Sequence, residues 1–183
     1  MMRKIGLAAL TLACGLPVAN AQEPAARKLE RDGLKLETAP LAPDQVRAFF
    51  LARGFSAGDT EHITATGCVF RSAIGSAYAK AGAPEVTIAL TDWKVTPVGG
   101  NAAGPRTREH WDAEWTARAV SEDAATAFHW SLFPTEQTFS ATDYNWGFLT
   151  FGLAPGTRFT LDLAWRSAGQ NHTARLEGLE CGK

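Results

Sequence analysis

From Tyr144 to Cys181 the chain carries the two-residue period of a half-buried β-strand, and the run closes on a cysteine. Phe159, Leu161, Leu163 and Trp165 alternate with Thr160, Asp162, Ala164 and Arg166. Such alternation puts one set of side chains on the core face and the other toward solvent. Pro155-Gly156 and the stretch from Ser167 to Asn171 punctuate the run as turns. This block predicts the β core against which the rest of the chain packs.

The N-terminus has a different grammar. Arg3 and Lys4 precede an apolar run from Ile5 to Leu12, Gly15 and Pro17 break any helix, and Ala19-Asn20-Ala21 offers a small-x-small cleavage site. That is the pattern of a secretory signal peptide over residues 1–21, with an apolar part too short to span a bilayer. The mature chain is expected to begin at Gln22. A rival reading is lipid attachment at Cys14, after Leu12 and Ala13, although Thr11 is a poor residue three places before such a cysteine. No other apolar run approaches spanning length, so no membrane insertion is expected after cleavage. The expected location is the bacterial periplasm or the medium.

Removing Arg3 and Lys4 with the leader leaves 16 basic against 19 acidic residues, a formal charge of −3. About 160 residues is one domain's worth of chain, enough for a real core. A mildly acidic balance without a basic cluster argues against nucleic acid as a partner. Two cysteines remain, Cys68 and Cys181. In an exported protein a distant pair of this kind reads as one disulfide, and there is no Cys-x-x-Cys to suggest redox or zinc chemistry.

Residues 22–40 are charged and alanine-rich at first and read as a loose lead-in, with Leu34 to Glu37 as a short edge strand. From Pro43 the grammar is helical. Pro43 and Asp44 sit in the first turn, Val46, Phe49 and Phe50 share a face, and Gly54 marks the stop. Ser56 and Asp59 have capping spacing for a second short helix to about Thr64. Strands are then expected over about 67–181. They run from Cys68 to Ile74, from Val86 to Val95, in a hairpin of His110–Val120 with Thr126–Phe133, and near Gly147–Leu153, Arg158–Trp165 and Thr173–Leu179. Trp111 and Trp115 also stand at helical i, i+4 spacing, which makes a helix the alternative there. The expected architecture is mainly β: a single domain over 41–183, an antiparallel β-sandwich or open barrel with a short N-terminal helical segment and one disulfide.

Three sets of residues are candidates for chemistry. On a strand, His110, Asp112 and Glu114 would line one face, and with His62, His129 or His172 from elsewhere they could bind zinc or copper(II). A methionine-based copper(I) site is excluded, because both methionines lie at the N-terminus. No cofactor is otherwise expected. Gly54-Phe55-Ser56-Ala57-Gly58 matches the Gly-x-Ser-x-Gly elbow of α/β-hydrolases, but that elbow needs a strand before the serine and the segment here is helical. Aromatic residues form the third set. Most of the six tryptophans fall on stripes that suit a core. If Trp111, Trp115 and Trp130 were exposed instead, they would form a platform for a sugar or peptide, with Tyr144 and Trp146 as a second contact point. The favoured reading is a non-enzymatic exported binding or accessory protein for a periplasmic protein or small ligand. Metal handling is the alternative, and a small secreted hydrolase stands third.

Overall fold

The computed structural model describes residues 26–183. The signal-peptide and Cys14 expectations fall outside the described residues. Nine strands and four α-helices follow: β1 (Arg27–Arg31), β2 (Leu34–Pro40), α1 (Pro43–Leu51), α2 (Ala57–Thr66), β3 (Val69–Ser76), β4 (Val86–Ala89), β5 (Lys94–Pro97), α3 (Arg108–Ala117), α4 (Glu122–Ser131), β6 (Glu136–Phe139), β7 (Tyr144–Thr150), β8 (Arg158–Ser167) and β9 (Gln170–Glu180). The molecule is mainly β, with two antiparallel sheets. Among the described residues no helix is long and apolar enough to cross a membrane.

The first sheet has the order β1-β2-β3-β7. Its opening hairpin corrects the expected loose lead-in. Arg31 pairs with Leu34 across a two-residue loop, Asp32-Gly33, with φ of 46° and 84°. Two successive positive φ values are what a tight hairpin turn needs, and Asp-Gly supplies them at low cost. In the second sheet β8 is the central strand. β9 runs along one side of it, while β4 and β5 take the other in succession. The strand expected over Val86–Val95 is therefore two strands, interrupted by a 3-10 turn at Leu90–Asp92. The break lets Trp93 turn inward, where its indole N–H donates to the Ala164 carbonyl at 2.9 Å. β6, which pairs with β4, was not anticipated from sequence.

One core draws on both sheets: Leu36, Phe70, Ile74 and Leu149 from the first, Ile88, Val95, Phe159 and Leu161 from the second. The Cys68–Cys181 disulfide joins the start of β3 to the end of β9, 113 residues apart, with Cα atoms 5.2 Å from each other. Closing so long a loop removes entropy from the unfolded chain, about 4–5 kcal/mol in the chain-entropy model.

The second core lies on the opposite, outer face of the first sheet. Val69 and Phe148 point there because they alternate with the inward Phe70 and Leu149. All four helices pack over them. The helices are thus not an N-terminal appendage: α1 and α2 follow a β-hairpin and form one layer with α3 and α4. Residues 110–133 are the larger correction, since the expected hairpin is the helix pair α3 and α4. Trp111 with Trp115, and Ala124 with Phe128, stand four residues apart, so each pair lies on one helical face. Asp112, Ala113 and Glu114 between the two tryptophans are poor strand formers, and Ser121 caps α4 by accepting the Ala124 N–H.

Candidate functional site

The helical layer is assembled around five rings. Trp111 and Trp115 stack at 5.0 Å, and Phe128 meets both at 5.1 Å. Phe50 stacks on Phe128, and Phe55 closes against Trp115. The Trp111 indole N–H donates to the Thr150 hydroxyl at 2.8 Å, which pins α3 to β7. Trp111 and Trp115 are 0% and 1% exposed. They are core and cannot touch a ligand, which corrects their assignment to a platform.

Helix geometry also divides the expected metal row. His110 and Glu114 share one side of α3, whereas Asp112 points away toward α4 and receives His129 Nδ1 at 2.9 Å. Glu114 lies between two imidazoles: His62 from α2 bonds to one carboxylate oxygen and His110 Nε2 stands 3.4 Å from the other. Arg106 approaches at 3.9 Å. The ring nitrogens face the carboxylate rather than a common point, so this cluster works as a clasp joining α2, α3 and the preceding loop. His172 is elsewhere, stacked on Trp165. Among the described residues no group of three or more His, Cys, Asp and Glu is placed to hold a metal.

Ser56 is the N-cap of α2. Its hydroxyl accepts the Asp59 N–H at 3.1 Å and donates to Asp59 Oδ2 at 2.6 Å. That bond, together with Arg118, holds the Asp59 carboxyl below the usual range. Both bonds go to Asp59, as a cap requires, and the preceding segment is α1 rather than a strand.

Two surfaces remain where large aromatic side chains meet solvent. Between α3 and α4 runs a groove of about 610 Å³, bordered by Asp112, Thr116, Ala119, Glu122, His129 and Trp130. Trp130 is exposed at its lip, with the Arg108 guanidinium 5.3 Å from its ring. Burial lowers the Arg108 pKa from its ordinary value.

The other surface is the uncovered half of the first sheet's outer face. The helices cover its Phe148 end and stop short of Trp146 and Tyr144, which are 72% and 73% exposed. These two residues, i and i+2 on β7, point to the same side. Across the sheet Trp146 aligns with Ala73, Glu37 and Lys28, and Tyr144 with Gly75, Lys35 and Glu30. The small residues on β3 leave a trough beside the rings. A Cβ at Gly75 would fall 2.6 Å from the Tyr144 Cβ and 2.4 Å from the Asp143 carbonyl, so only glycine lets β7 approach so closely. Hollows of about 280 and 250 Å³ flank the rings and share Glu37 and Ala73.

Of the five aromatic residues singled out from sequence, the structure brings Tyr144 and Trp146 together, places Trp130 on a helix and buries the other two. Arg71, Ala73, Gly75 and Lys35 were missed as parts of the same surface. Only the β2–β3 and β3–β7 registers put them beside Tyr144 and Trp146, and register is not written locally. Comparison of the chain with protein-family models, with curated proteins and with solved structures finds no match.

Proposed function

We propose that this chain is an exported, non-enzymatic binding protein of the bacterial periplasm whose contact surface is the open face around Tyr144 and Trp146. The observation that carries the reading is the pair of rings, each more than 70% exposed, side by side on a sheet braced from behind. Adjacent exposed aromatics cost solubility and mark binding surfaces more often than accidents of packing. The disulfide supports an oxidising compartment, in keeping with the leader pattern at residues 1–21. The core shared by both sheets supports a sandwich as the finer description of the β half. Rigid strands, rather than loops, present the rings, which limits the ordering entropy lost on binding.

The test uses immobilised protein challenged with the soluble and the sedimentable envelope fractions of a Gram-negative bacterium. The wild type is expected to retain material that the double variant Tyr144→Ala/Trp146→Ala releases at least about tenfold more readily, as for truncation of central aromatic contacts. Both substitutions are on the surface and should leave the thermal midpoint nearly unchanged. Equal retention by the two proteins, or none by either, overturns the reading.

A further inference from the structure

We infer that the ligand of this face is a glycan carrying carboxylate groups, a deepening that rests on the binding reading above. The chemistry of the trough is the starting point. Trp146 and Tyr144 offer flat π-faces, which suit the C–H face of a sugar ring, and the charged side chains around them suit its hydroxyl groups.

The charges on the face do not cancel at its Trp146 end. Five charged residues stand on its strands, Lys28, Glu30, Lys35, Glu37 and Arg71, and Asp143 borders the hollow at the Tyr144 end. Lys28 pairs with Glu37 at 3.0 Å, and Lys35 with Glu30 at 3.9 Å. At the Trp146 end Arg71 is the remainder, while Asp143 at the Tyr144 end accepts the Ser140 N–H at 3.1 Å. Arg71 is exposed, it borders the hollow beside Trp146, and it takes part in none of the ion pairs among the described residues. A guanidinium left over beside a stacking ring is complementary to a planar carboxylate, which it can hold by two parallel hydrogen bonds.

A peptide is the other occupant such a surface could take, and the strand edge argues against it. Peptides that join sheets add a strand and need free backbone groups. Here the Trp146 N–H is already held by Asn145 Oδ1 at 2.9 Å, and the Asn145 amide is tied to Gln137 at 3.0 Å. Further along, the Phe148 carbonyl accepts the Phe133 N–H at 3.1 Å. Along the β7 edge, beside the rings, side chains and not backbone are on offer.

The test measures, by titration calorimetry on the disulfide-bonded protein, binding of oligogalacturonate and of cell-wall glycan fragments bearing lactyl carboxylates. Neutral cello-oligosaccharide and an oligo-glutamate peptide are the comparators. At least one acidic glycan is expected to bind, with Arg71→Gln weakening it about tenfold while leaving any neutral-glycan binding unchanged. Trp146→Ala should abolish binding of both glycans. Neutral and acidic glycans bound equally, with no effect of Arg71→Gln, overturn the acidic class. Preference for the peptide, or no binding of either acidic glycan, overturns the glycan. In those outcomes the envelope-retention experiment still decides the binding role of the face: retention lost in Tyr144→Ala/Trp146→Ala upholds it, and unchanged retention removes both readings.

Discussion

The two halves of this molecule bury aromatic cores of the same kind but are fastened differently. In the β half, residues from Leu34 to Cys181 meet in one core, strand ladders satisfy the backbone, and a disulfide spans 113 residues. In the helical half, four helices of nine or ten residues lean on one face of a sheet. Helices that short do not persist alone in water. Their order comes from the interlocked rings of Phe50, Phe55, Trp111, Trp115 and Phe128. At the rim, Arg47 with Glu61 and Arg118 with Asp59 join one element to the next, and partly exposed pairs of this kind add little. The contrast teaches that the helical layer depends on the sheet far more than the sheet depends on it. The layer is also what leaves half of the sheet's outer face open, and so defines where a ligand can touch.

The largest expected effect breaks the fastening of the β half. Replacing Cys68 and Cys181 by alanine should cost about 4–5 kcal/mol, and denaturant unfolding of oxidised and variant proteins measures it directly. A difference below about 1 kcal/mol would show that the disulfide does not distinguish the two halves. Next is Phe128→Ala, which opens the centre of the ring cluster and should cost about 3–4 kcal/mol. Hydrogen exchange should then show amides of α1 to α4 opening well before those of β8 and β9. Uniform loss of protection would mean that the two cores unfold as one.

The smallest effect concerns the rim. Ser56→Ala removes the cap of α2 and should cost about 1 kcal/mol at neutral pH. The Asp59 carboxyl is held below its ordinary value by the Ser56 hydroxyl and by Arg118. Its contribution is therefore complete above the ordinary carboxylate range and declines as pH falls through the depressed folded value. The difference between wild type and Ser56→Ala in thermal midpoint should narrow below about pH 4. A gap that widens on acidification would contradict this bonding.

Much of the β half was legible because its signals are local. The alternation from Phe159 to Trp165 needs no partner to be read, and the long β8 lies where it pointed. Asp32-Gly33 was legible too, yet the charged composition around it drew the reading toward a loose segment. Turn chemistry at two residues outweighed the charged composition around them. The helical half was harder. Trp111 and Trp115 satisfy both periods, since a separation of four is even and also close to one helical turn. Which period applies depended on the rings that come from Phe50, Phe55 and Phe128.

By itself, then, the sequence determined the pair of cysteines that could join and the strands whose two faces differ in polarity, since both follow from composition and short-range period. Only the tertiary structure decided which aromatic rings are core and which meet solvent. A ring's exposure depends on which neighbours cover it, and those neighbours come from distant segments: helices from 43–66 and 108–131 end over Phe148 and leave Trp146 and Tyr144 bare.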